Sequence, residues 1–97
     1  MDKEIIKEKI KAKLPFLAER YHVKKMGIFG SVARGDDTKK SDIDILVEFD
    51  EEAIGMFDFI RLENFLSDLL GKKVDLVSKG GLKSIIKDRI LKETIYV

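Results

Sequence analysis

Residues 27–49 read GIFGSVARGDDTKKSDIDILVEF. The second half of this stretch has the two-residue period of a strand. Over residues 42–49, Ile43, Ile45, Val47 and Phe49 fall on one face, and Asp42, Asp44, Leu46 and Glu48 on the other. The first half ends a shorter strand, read over residues 24–29 (KKMGIF). Between the two strands, residues 30–41 form a loop with room for one helical turn after Ser31, and Gly35 is placed to supply a positive-φ turn.

The flanking sequence is helical on both sides. Ile5, Ile6, Ile10, Leu14, Leu17 and Tyr21 recur at three- and four-residue spacing, which predicts a helix over residues 2–21 with Asp2 as N-cap. Pro15 is expected to kink this element or to start a second helix. Residues 56–70 place Phe59, Leu62, Phe65, Leu66 and Leu69 on one side, with Gly71 as the C-terminal stop. Residues 73–77 (KVDLV) read as a third strand. Gly80 and Gly81 mark the entry to a last helix over 82–93, with Leu82, Ile85, Ile86 and Ile90 turned inward. The tail 95–97 is extended. The order α-β-β-α-β-α predicts an α/β (α+β) fold: a small mixed sheet of three to four strands flanked by helices.

Composition narrows the function classes. Ninety-seven residues suit one domain, 1–97, around one core. Lys and Arg number 19 against 18 Asp and Glu, so the net charge of +1 argues against a polyanion-binding protein. There is no cysteine, hence no disulfide, thiolate metal site or cysteine nucleophile, and one histidine, His22, cannot build a His-rich zinc site. No apolar run reaches the roughly 18–20 residues of a membrane span, and Met1–Lys13 lacks the apolar stretch of a signal peptide. The expectation is a soluble, cytoplasmic domain with no membrane contact. The absence of Gln, the single Asn64 and the abundance of Lys, Glu and Ile fit a heat-adapted protein.

Charge is unevenly distributed. Residues 36–75 hold five basic and twelve acidic side chains, whereas residues 1–25 hold eight basic and four acidic. Within the acidic centre, Asp42 and Asp44 stand two apart on a strand, so they share a face about 7 Å apart. Carboxylates held this way repel unless a cation lies between them. Such hard oxygen donors suit Mg²⁺, which keeps several waters and takes substrate phosphates as further ligands. Glu48 shares the face but lies about 13 Å along the strand from Asp44. Asp75 is the better third ligand, because it interrupts an apolar strand that can lie beside Asp44. Gly30-Ser31 follows a strand, where glycine admits a phosphate close to the backbone and serine offers its hydroxyl. Neither a P-loop (GxxxxGK[ST]) nor a Rossmann fingerprint (GxGxxG) occurs.

Gly30-Ser31, ten residues, then Asp42-Ile43-Asp44 resembles the G-S-x(10)-D-x-D signature of the DNA polymerase β-like nucleotidyltransferase superfamily. The fuller string GSVARGD…SDIDILVEF, with VDLV around Asp75, is similar to the minimal nucleotidyltransferase (MNT) subfamily, whose members are often paired with HEPN-domain toxins as MntA-type antitoxins. The resemblance implies that Asp42, Asp44 and Asp75 bind two Mg²⁺ ions, with Asp75 also able to deprotonate the attacking hydroxyl. It implies that Gly30 and Ser31 hold the β- and γ-phosphates of ATP. The activity implied is transfer of AMP to a hydroxyl of a partner protein, a tyrosine of a HEPN-family RNase toxin, which neutralises the toxin.

Other residues have weaker readings. Arg34 can hold a phosphate bidentately or brace the loop on a carboxylate such as Asp42, and bracing is preferred. Ser41 can cap or orient the loop. Lys39, Lys40 and the lysines of the first helix read as solvated, His22 as non-catalytic, and Phe57 and Phe59 as core rather than base-stacking residues. Two other functions stay open: an antitoxin that blocks its partner sterically without catalysis, and nucleotidyl transfer to RNA or a small molecule. The near-zero net charge disfavours a nucleic-acid acceptor.

Overall fold

The computed structural model describes residues 2–50 and 54–97. Helix α1 (Lys3–Tyr21) leads into β1 (Val23–Phe29), a single-turn α2 (Gly30–Arg34), β2 (Ile43–Phe49), α3 (Met56–Leu70), β3 (Val74–Ser78), a 3-10 turn at Lys79–Gly81, α4 (Ser84–Glu93) and β4 (Ile95–Tyr96). The four strands form one mixed sheet in the order β3-β2-β1-β4. β1 pairs antiparallel with both β2 and β4, and β2 pairs parallel with β3. The expected mixed α/β architecture is present: the helical turn allowed after Ser31 is α2, and the extended tail pairs as the edge strand β4.

The helix ends follow from local chemistry. The Asp2 carboxylate accepts from the Glu4 N–H at 2.8 Å, capping α1. α1 closes at His22, which adopts φ 58° and sends its N–H back to Leu17 and Ala18. α3 ends at Gly71 and α2 at Gly35, both left-handed. Of the two expectations for Pro15, a second helix starting there is not what forms: one helix runs continuously over 19 residues with Pro15 inside it. Pro15 and Lys11, whose carbonyl loses its helical partner, both lie on the exposed side. Ile10 and Leu17, fully buried on either side of the proline, hold the two halves to one core.

One sheet face makes that core. Ile28, Ile43, Ile45 and Val47 meet Ile6, Ile10 and Leu17 from α1 and Leu62 and Leu66 from α3, all inaccessible to solvent. The opposite face carries Asp44, Leu46, Glu48 and Asp75. Leu46 is buried there, outside the main cluster. Lys79 pairs with Glu48 at 3.5 Å, and Lys87 of α4 lines a cavity beside Glu48, so the returning chain runs along this second face. No residue of α4 is fully buried. Ile85 is 88% exposed and Ile86 40%, which corrects the inward reading of both. A face studded with carboxylates offers little apolar area for a helix to bury. Phe57 is likewise 79% exposed rather than core, whereas Phe59 packs edge-on against Phe49.

Candidate active site

The two motifs of the 27–49 stretch meet because β1 and β2 are antiparallel neighbours. Phe29, the last residue of β1, is opposite Asp44 in the ladder, so Gly30 begins α2 right beside that carboxylate. Gly30 has φ +71°, and a Cβ built on it would collide with the Asp44 side chain. Both the dihedral and the space therefore demand glycine. On its other side, Asp44 is in register with Asp75 of the parallel neighbour β3. Residues in register on adjacent strands project to the same face, so Asp44 and Asp75 stand side by side. Asp42 sits just before β2, with Lys73 3.9 Å from its carboxylate.

β3 is an edge strand whose outward N–H groups would lack partners. Helix α3 supplies them. The Val74 N–H donates to Ser67 Oγ at 3.0 Å and the Leu76 N–H to Glu63 Oε2 at 2.9 Å. These two bonds bracket Asp75 and pin it beside Asp44. Sequence reasoning missed Glu63 and Ser67. Their only local signal is a pair of polar side chains four apart on a helix whose other face is apolar.

Like charges dominate the site. Burial first, then the neighbouring Asp75 and Asp42 charges, push the Asp44 carboxyl above its ordinary range, and Arg34 partly offsets this. Arg34 does not bond Asp42, the partner proposed from the sequence. Its Nε donates to Asp36 at 3.2 Å and its Nη1 to Glu93 Oε2 at 3.3 Å. The bracing role expected of Arg34 is present, on different carboxylates. Glu93, the last residue of α4, also accepts from the Gly30 N–H at 2.9 Å. No sequence pattern announced it, since the two residues are 63 positions apart. Its one hint was an acid in the last turn of a helix, where the dipole favours a cation. The rest of the loop is held locally: Ser41 Oγ accepts from the Thr38 N–H at 2.9 Å, as its capping reading required, and Lys72 Nζ donates to the Thr38 carbonyl at 3.2 Å.

The donor set suits a hard divalent cation. Three carboxylates come from two adjacent strands, and the mutual repulsion on Asp44 is what a cation would relieve. Among the described residues no group of three or more His, Cys, Asp or Glu side chains is placed to hold a metal ion by itself. Mg²⁺ does not need one: it is usually held by one or two carboxylates, waters and substrate phosphates.

The sequence matches the nucleotidyltransferase domain over residues 5–97. The chain belongs to the nucleotidyltransferase family. This nucleotidyltransferase is 52% identical over 93 residues to a Methanocaldococcus jannaschii protein provisionally named a protein adenylyltransferase, covering 95% of this chain and 94% of that one. It is 49% identical over 81 residues to the protein adenylyltransferase MntA of Thermococcus cleftensis, covering 84% and 81%. Its structure superposes on that of a provisionally assigned minimal nucleotidyltransferase with a TM-score of 0.81 and 39% identity, over 98% of this chain and 95% of the other. It shares its fold, at TM-score 0.70 and 19% identity over 96% and 69% of the two chains, with the structure of a tri-AMPylated Shewanella oneidensis HEPN toxin in complex with an MNT antitoxin. Among the described residues, no helix of the nucleotidyltransferase is long and apolar enough to cross a membrane.

Proposed function

We propose that this nucleotidyltransferase transfers AMP from ATP to a hydroxyl of a partner protein, and that the partner is a HEPN-domain toxin which it thereby neutralises. The observation that supports this most is the juxtaposition of Gly30, Asp44 and Asp75 across three strands. It puts a glycine-opened turn against one carboxylate and a second carboxylate on its far side. The names of the M. jannaschii and T. cleftensis relatives support adenylyl transfer to protein, and the Shewanella complex supports the choice of partner.

In this reading the triphosphate lies along α2. Ser31 offers its hydroxyl and Arg34 its guanidinium to the β- and γ-phosphates, and Gly30 admits them to the backbone. Asp42, Asp44 and Asp75 would hold Mg²⁺, two ions in all, which would supply the positive charge that an in-line displacement at phosphorus needs. The acceptor oxygen forms a bond to the α-phosphorus, the bond to the bridging oxygen breaks, and pyrophosphate leaves. Asp75, on the outer face of the sheet, takes the hydroxyl proton.

The test is labelling with [α-³²P]ATP and Mg²⁺ in the presence of a purified HEPN partner, with an Asp42→Asn/Asp44→Asn double variant as control. Label on the partner with the wild type alone is the expected result. Absence of label, with the double variant still suppressing the toxin, would replace transfer by steric neutralisation. Label on RNA instead of protein would change the acceptor class.

A further inference from the structure

Glu93 makes three hydrogen bonds that neither its own helix nor its neighbours in sequence explain. Its Oε1 accepts from the Gly30 N–H at 2.9 Å and from Arg34 Nη1 at 3.4 Å, and its Oε2 accepts from Arg34 Nη1 at 3.3 Å. Its side chain is 24% exposed, whereas that of Arg34 is 50% exposed. An acid at the end of a helix is opposed by the helix dipole. Two donors on a remote segment, one of them cationic, more than offset that cost. The result is a strap from the end of α4 to the first and last residues of α2.

The strap acts on both ends of the turn that carries Ser31. At Gly30 it accepts from the amide N–H of the first residue after β1. At Arg34 it works with Asp36 to occupy the guanidinium. Arg34 also acts electrostatically on Asp44, so it lies within reach of the acidic site. An arginine drawn onto the Asp44 carboxylate would fill the space a cation and a triphosphate need. Glu93 therefore keeps the turn open and its cation poised at the rim.

We propose that Glu93 is a positioning residue for the nucleotide: it presents Ser31 and Arg34 to the triphosphate by holding the Gly30 amide and the Arg34 guanidinium together. The inference rests on the nucleotide-binding part of the function proposed above. It assigns a role in reaction geometry to the carboxy-terminal helix, which otherwise buries little.

The full-length chain is compared as wild type, Glu93→Gln and Glu93→Ala, each also in an Arg34→Ala background. Binding of the non-hydrolysable analogue AMP-PNP with Mg²⁺ is measured by calorimetry, and KM and kcat by label transfer. Glu93→Ala is expected to weaken AMP-PNP and raise KM for ATP about tenfold, with kcat falling less than about threefold, the scale of one lost charge-assisted contact. Glu93→Gln keeps an oxygen for the Gly30 N–H and is expected to lose about threefold. With Arg34 already removed, Glu93→Ala should cost less than about twofold more, because the two act as a unit. Unchanged or tighter AMP-PNP binding by a folded Glu93→Ala variant would overturn the proposal, as would an undiminished tenfold loss in the Arg34→Ala background. If Glu93→Ala does not fold, Glu93→Gln decides: binding equal to the wild type refutes the role. Wild type that binds AMP-PNP but labels no acceptor would refute the transfer reading alone, and the binding comparison still decides Glu93.

Discussion

The two faces of the sheet are built on opposite principles. The inner face is apolar without exception, from Ile43 to Val47 and Val74 to Leu76, and two helices seal it so that a dozen large side chains lose all or nearly all solvent contact. The outer face carries Asp44, Glu48 and Asp75, and the helix beside it leaves Ile85 and Ile86 exposed and buries no residue fully. The first arrangement gains stability from every contact. The second gives stability up, since Asp44 is held partly buried beside like charges. The difference shows where folding and chemistry are divided: β2 serves both, with alternate residues assigned to each.

The sharpest way to separate the two is to replace single residues on each face. Asp44→Asn removes a repelling charge and a cation ligand together. Transfer activity should fall by about three orders of magnitude, while the melting temperature stays level or rises. The sign follows from the raised Asp44 pKa. A carboxyl whose folded pKa lies above its unfolded one contributes stability at low pH and loses it as pH rises through the folded value. The melting-temperature advantage of Asp44→Asn should therefore be greatest near neutral pH and vanish below the ordinary carboxylate range. Paired thermal scans across pH check this, and an advantage that grew in acid would contradict it.

On the inner face the effects reverse. Leu66→Ala, at a fully buried position, should lower unfolding free energy by about 3 kcal/mol. Urea titration measures that loss, and activity per folded molecule should stay within about twofold. Gly30→Ala tests the seam between the faces. The added methyl meets the Asp44 carboxylate at a positive φ, so a loss of about 2 kcal/mol in stability and a much larger loss in transfer are expected together. Comparing circular dichroism melts with label transfer resolves the two. Glu63→Ala is the mildest case. It unpairs the Leu76 N–H at the sheet edge, costing about 1 kcal/mol, and should lower kcat by letting Asp75 drift. A variant with reduced stability but unaltered kcat would show that the edge bond serves the fold alone.

Much of this division was legible in the amino-acid order. Alternation in β2, the three- and four-residue spacing in α1 and α3, the left-handed stops at Gly35 and Gly71 and the Asp2 cap all express contacts between residues a few positions apart. The Gly-Ser turn and the Asp-x-Asp pair were legible for the same reason. Errors arose where a local rule met a global condition. Pro15 allowed a second helix on local grounds, yet Ile10 and Leu17 bind both halves of one helix to one core. Ile85 and Phe57 are apolar at helical spacing, but neither helix face has an apolar surface opposite it at that point.

The sequence by itself therefore determined the element types, the apolar face and the acidic and glycine residues available for chemistry, because periodicity and turn conformation are short-range properties. Tertiary structure alone decided which strands became neighbours, and so that Asp75 stands beside Asp44 and Gly30 against it. It also decided that Glu63 and Ser67 satisfy the edge strand, and that Glu93 reaches back 63 residues to Gly30. These contacts join different elements of the fold, from 7 to 63 positions apart in the chain. Their partners are selected by the unpaired hydrogen-bonding groups that the folded sheet leaves over, and no local pattern encodes those.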